Sequence, residues 1–196
     1  MAIIRGYGLI LAAALLSGCT TMADRLQGSI TPPPGYGYAI ISLTARAFDQ
    51  DSATAGIHIA DSTGAIVANG RASMNVDTVF GEEGMSPTDG RLQLLALPAG
   101  HYQLTDAWGN WEEESGWGNQ WHSTRQPIHA DFDISAGSSV YLGEVFLDLS
   151  LRPEVRLSNQ QKRDFGHMRR VWKVQDLSSV QIRPLQLPVA EHPATP

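Results

Sequence analysis

Trp108-Gly109-Asn110-Trp111 and Trp117-Gly118-Asn119-Gln120-Trp121 place four of the five tryptophans within fourteen residues, on either side of Glu112-Glu113-Glu114-Ser115-Gly116. Indole faces stack on the CH groups of a sugar ring, while neighbouring Asn, Gln and Glu side chains hydrogen-bond its hydroxyls. The same indoles can instead close one end of a domain, because a tryptophan buries a large area and needs only one partner for its N–H. The stretch Ala107 to His122 reads as a loop, far longer than a hairpin connection of about two to five residues, and loops of this length are usually functional or disordered. Disorder would leave four indoles in water. The expected contacts to a ligand or partner are therefore Trp108, Trp111, Trp117, Trp121, Asn110 and Asn119, with at least two of the indoles partly exposed.

Other reactive side chains are less suggestive. Asp131 and Asp133 lie two apart with His129 beside them, a possible metal site. Ile128, Ala130, Phe132 and Ile134 alternate with them, so the acids read as the wet face of an amphipathic strand. His101 and His122 add no ligand spacing. Asp49 to Thr54 lacks the fifth-position oxygen and sixth-position glycine of a calcium loop and reads as a turn. No metal and no cofactor are expected. Gly-x-Ser-x-Gly, Ser-x-x-Lys, His-Glu-x-x-His and phosphate-loop motifs are all missing, so no enzyme is expected. The alternative is an envelope glycan hydrolase using Glu82-Glu83 or Glu112-Glu113-Glu114 as an acid/base pair.

The N-terminus bears on location. Arg5 precedes the apolar run Leu9 to Leu16, followed by Ser17 and Gly18, the pattern of a secretory signal peptide over residues 1–18. The apolar stretch from Tyr7 to Leu16 is about half the ~20 residues needed to cross a bilayer. Leu16-Ser17-Gly18-Cys19 resembles the lipobox of bacterial lipoproteins. That resemblance implies cleavage after Gly18, acylation of Cys19 on its sulfur and usually again on its amine. At about 0.8 kcal/mol per buried CH₂, two or three acyl chains hold permanently. Thr20, where an Asp would imply inner-membrane retention, leans towards the outer membrane, facing the periplasm. Membrane attachment is thus expected through the lipid on Cys19, with an envelope protein or glycan as further partner. Loss of Arg5 and no acid leaves 13 basic against 20 acidic residues, a formal charge of −7.

Those residues need elements to hold them. Residues 19–37 read as a lipidated cysteine and flexible tether, with Thr31-Pro32-Pro33-Pro34-Gly35 favouring extended polyproline geometry and nothing to bury. From Tyr38 the pattern turns to period two. Ala39, Ile41, Leu43 and Ala45 alternate with Ile40, Ser42, Thr44 and Arg46, a half-buried strand. Gly56 to Ala60 and Ala65 to Ala68 form a hairpin about Asp61-Ser62-Thr63-Gly64. Further strands are expected at 75–80, 91–97, 102–105, 128–134 and 140–151, the last with Tyr141, Gly143, Val145, Leu147 and Leu149 on one face. Such a series indicates an antiparallel β-sandwich over 38–151. Asp61 to Val67, Leu97 to Tyr102 and Ile134 to Tyr141 resemble turns of prealbumin-like sandwiches, such as carboxypeptidase regulatory domains, a resemblance that implies a fold and no activity.

Residues 152–185 change character. Ser158 and Gln161 suggest a capping box, and Phe165, Met168 and Trp172 recur on one stripe of a helix over roughly 159 to 172. An edge strand is expected at 180–183 and a disordered tail at 186–196. Residues 77–133 carry ten acids and two bases, whereas 152–173 carry seven bases and two acids. The helix is expected to dock on the sandwich by its apolar stripe. With Lys+Arg 14 against Asp+Glu 20, the net charge of −6 argues against nucleic acid. One cysteine excludes an intrachain disulfide. The expectation is a lipid-anchored envelope module that binds or supports, mainly β with one C-terminal helix.

Overall fold

Period-two alternation yields ten strands among the residues described by the computed structural model, 21–116 and 118–188. One sheet holds β1 (Tyr36–Arg46), β4 (Thr78–Val79), β5 (Thr88–Pro98), β8 (Ser139–Asp148), β9 (Glu154–Ser158) and β10 (Val180–Ile182). Its order is β10-β8-β1-β5-β4, with β9 also on β8. The other sheet holds β2 (Thr54–Asp61), β3 (Ile66–Ser73), β6 (Gly100–Ser115) and β7 (Gly118–Ile134), in the order β3-β2-β6-β7. Ile41 and Leu43 of the first sheet and Ile57, Ile59, Leu104 and Phe132 of the second pack in one core between them. The protein is a β-sandwich.

Not every pair is antiparallel. β8 runs parallel to β1, and β10 parallel to β8. Parallel neighbours need a long crossover: the course from β2 to β7 joins β1 to β8, and β9 with the helix that follows it joins β8 to β10. Between Ile40↔Tyr141 and Ser42↔Glu144 the register slips by one residue, with Gly143 at φ 89°. An extra bulge residue reverses the facing of the residues after it. Val140 and Leu142 point into the sandwich before the bulge, Val145 and Leu147 beyond it. Tyr141 points the other way, correcting its expected place on the Val145 face.

That other face is covered. Helix α2 (Gln161–Arg170) lies across the first sheet and presents Phe165 and Met168, followed by Trp172. Together with Ile40, Leu92, Tyr141, Val174, Leu177 and Val180 they make a second core. β1 is thus buried on both faces rather than half-buried. The capping box is not made: the N-cap is Gln160, without a side-chain cap, and the Ser158 hydroxyl donates to Glu144. Gly166 costs the helix about 1 kcal/mol relative to alanine, but a Cβ there would sit 2.4 Å from the Glu82 amide nitrogen. The glycine lets the 81–82 backbone pass against the helix.

The segment expected to be a free tether also docks. Thr21 caps the short helix α1 (Met22–Leu26) in a reciprocal capping box with Asp24. Leu26 and Ile30 are buried in the second core. The Ile30 carbonyl accepts the Ser139 hydroxyl at 2.7 Å. Leu26 and Ile30, with Met22 packed partly buried against the same core, hold the otherwise polar segment down.

Candidate functional site

β6 and β7 form one continuous hairpin, paired from Gly100↔Ile134 to Ser115↔Gly118. The Ala107 to His122 stretch is therefore not a loop. Its Gly, Asn and Trp residues carry a strand alternation: Ala107, Gly109 and Trp111 point inward, Trp108 and Asn110 outward. β2 pairs with β6 only as far as Thr54↔Asn110, so the ribbon beyond projects past the sheet.

The alternation divides the indoles. Trp111 is 5% exposed and belongs to the sandwich core. It stacks on His122 directly opposite, with ring centroids 5.3 Å apart. Its buried Nε1 has no hydrogen-bond partner among the described residues. Trp108 is half-buried, and Trp121 is 68% exposed. Trp121 stands opposite Glu112, and Asn119 opposite Glu114, on the Trp108 side of the ribbon. Trp117 and Cys19 lie outside the described residues.

Trp108 is seated by a glycine. A Cβ on Gly56 would meet three adjacent ring atoms of Trp108, Cε2, Cζ2 and Nε1, at 2.0, 2.1 and 2.4 Å. Three neighbouring atoms at nearly equal distance put the face of the ring, not its edge, over the Gly56 backbone. The indole is half-buried and lines an open depression on the outer face of the sheet. Arg71, Gly56, Trp108 and Arg125 form one row across the sheet. The row above holds Ser73, Thr54, Asn110 and Ser123, and the row below Asn69, His58 and Asp106. Asp106 fixes the edge of this platform. Its carboxylate is 2.8 Å from His58 Nδ1 and 3.5 Å from Arg125 Nε, and it accepts the Thr105 hydroxyl at 3.1 Å. His58, Trp108, Asn110, Ser123, Thr124 and Arg125 line an open depression of about 490 Å³.

The acidic run beside it is divided in the same way. Glu113 pairs with His122 at 3.3 Å. Its neighbours in sequence, Glu112 and Glu114, lie opposite Trp121 and Asn119. Phe48, Asp49, all three glutamates and Asn119 line a cavity of about 450 Å³ at the ribbon. Lower on β7, Asp133 lies 2.9 Å from His101 Nδ1. Among the described residues no group of three or more His, Cys, Asp and Glu side chains could hold a metal ion.

A polar cluster that the sequence does not announce lies under α2. Arg163 reaches Asp164 at 2.8 Å, Glu144 at 2.7 Å and the Ser42 hydroxyl at 2.9 Å. Asp164 also accepts the hydroxyls of Ser42 and Tyr141 at 2.7 and 2.6 Å. Glu144 accepts those of Thr44 and Ser158, both at 2.8 Å. Burial pushes the Asp164 carboxyl up from its ordinary range, against the pull of Arg163 and the two hydroxyls. Burial beside that carboxylate also raises the Tyr141 hydroxyl. Every member but the part-buried Ser158 is shut from solvent between the sheet and the helix. The cluster therefore docks α2 and offers no opening to a substrate. Its one sequence signal is Ser42 and Thr44 within an otherwise apolar strand.

The chain matches no family model, and no curated protein or solved structure is similar to it at a significant level.

Proposed function

We propose that this chain is a lipid-anchored envelope module that binds glycan on the outer face of its second sheet. The observation that carries the reading is the half-buried Trp108 indole, laid face-on over Gly56 and lining the open depression. A pyranose ring lays its axial CH groups on such a surface. Its equatorial hydroxyls then reach outward, where His58, Asn110, Ser123 and Arg125 supply donors and acceptors. Strand pairing pre-sets these groups, so little ordering cost falls on binding. Trp121, higher on the same side, extends the apolar track along the ribbon. The anchor rests on the Leu16-Ser17-Gly18-Cys19 motif. Among the described residues no helix is long and apolar enough to cross a membrane.

A hydrolase draws less support, because Glu113, one of the three glutamates lining the ribbon cavity, is held by His122 at 3.3 Å. The test is a calorimetric titration of the protein with peptidoglycan fragments and other envelope oligosaccharides. Trp108→Ala should weaken binding at least tenfold, and Trp121→Ala less. Undiminished binding in Trp108→Ala, or no binding of any glycan by the parent protein, would defeat the reading.

A further inference from the structure

Thr21 is two residues beyond Cys19, and a residue spans at most about 3.6 Å, so the two are within roughly 7 Å of each other. Thr21 is held in place. Its amide donates to the Asp24 carboxylate at 3.0 Å, and its hydroxyl oxygen accepts the Asp24 amide at 3.2 Å. α1 in turn is pinned by Leu26 in the second core. Acyl chains on Cys19 would therefore leave no slack: α1 itself must stand at the level of the lipid headgroups.

The surroundings of α1 suit that level. A groove of about 610 Å³ opens there, lined among others by Met22, Arg25, Val76, Phe80, Arg91 and Val171. Val76, Phe80 and Val171 are 74%, 40% and 38% exposed, three large apolar side chains around one opening. Cations lie beside them. Arg25 and Lys173 are exposed and have no carboxylate partner among the described residues. The Arg170 guanidinium stands 5.9 Å over the Phe80 ring and donates to the Gly81 carbonyl. Asp77 also lines the groove but is paired with Arg91 at 3.0 Å, so Arg25 is the lining cation left without a carboxylate partner, with Arg170 over Phe80 and Lys173 two residues beyond Val171. Apolar side chains beside such cations suit an interface where acyl chains meet phosphate.

We infer that the α1–α2 face is a membrane-contact face that rests on an anionic phospholipid bilayer, with Val76, Phe80 and Val171 dipping in and Arg25, Arg170 and Lys173 at the phosphates. The inference rests on the lipid anchor proposed above. The helices and the outer face of the second sheet are on opposite sides of the first sheet, so this posture turns Trp108 away from the membrane.

Cys19 is the only cysteine and is consumed by lipid, so a second cysteine can be labelled alone. Full-length lipidated Val76→Cys and Asn69→Cys proteins, each carrying an environment-sensitive fluorophore, are reconstituted on phosphatidylethanolamine vesicles with and without phosphatidylglycerol. Asn69 is exposed on the outer face of the second sheet. The probe at 76 should shift to the blue and be quenched several-fold more by spin-labelled lipid than the probe at 69. Arg25→Glu with Lys173→Glu should reduce that quenching on the anionic vesicles. A protein that floats with the vesicles while both probes report water overturns the contact face and leaves the anchor standing. A protein that does not float, and whose Cys19 has peptide mass alone, overturns the anchor and the contact face with it.

Discussion

Acid should loosen the α2 face through His167. The imidazole is buried, stacked on Phe80 at 6.2 Å and edge-on to Trp172 at 5.9 Å. Its Nδ1 accepts the Phe80 amide at 3.0 Å, a role only the neutral ring can fill. Burial, then the charges of Arg163 and Arg170, push its pKa from 6.5 down to about 4. In the unfolded chain the ring titrates near 6.5. Between those values the unfolded chain binds a proton that the folded chain refuses, so stability is full above pH 6.5 and falls as pH drops towards 4. A gap of about 2.5 pH units at 1.36 kcal/mol each amounts to about 3 kcal/mol. Asp164 acts with the opposite sign: its raised carboxyl pKa adds stability as pH falls. His167→Gln keeps an acceptor for the Phe80 amide and leaves Asp164 in place. Urea unfolding of both proteins from pH 7 to pH 4 isolates the imidazole. The parent should lose about 3 kcal/mol more than the variant over that span. Equal losses in the two proteins would refute the burial argument.

The packing under α2 and the lipobox set three further outcomes. Arg163→Met leaves Glu144 and Asp164 buried without their cation and should cost about 3–5 kcal/mol in chemical unfolding, as broken buried pairs do. Phe165→Ala empties part of the second core and should cost about 3–5 kcal/mol, whereas truncation after Leu151 with an unchanged melting temperature would show that α2 is not docked at all. Cys19→Ser should leave the chain unprocessed or release it from the envelope lipid fraction, and intact-mass analysis of the parent should show a chain beginning at acylated Cys19.

How legible each element is in the sequence varies with the surroundings its residues face. Strands in which apolar and polar residues alternate, such as 128–134, announce themselves, because the second sheet has one wet face. β1 does not announce its second burial, since Ser42 and Thr44 look like solvent-facing residues until Asp164 and Glu144 meet them. The partners are 122 and 100 residues away, beyond any local pattern. The bulge at Gly143 moves Tyr141 to the opposite face, and one glycine in an apolar run gives little warning of that. The tryptophan segment reads as a loop for a local reason. Gly109, Asn110, Gly118 and Asn119 have turn chemistry, but here the glycines and asparagines flank indoles on a paired ribbon. The residue types that could grip a sugar are visible in the sequence, while their division between core and surface is not. Gly56 gives no sign of its role, because only the pairing with Trp108 makes a missing Cβ matter.

Glycan resting on the outward indole of Trp108 is tested most directly by an NMR titration of the indole N–H resonances with the oligosaccharide that binds best. Trp108 and Trp121 should shift in proportion to occupancy, while Trp111 and Trp172, buried in the two cores, stay in place. Saturable binding that moves Trp111 or Trp172 and leaves Trp108 unperturbed would contradict the proposed site.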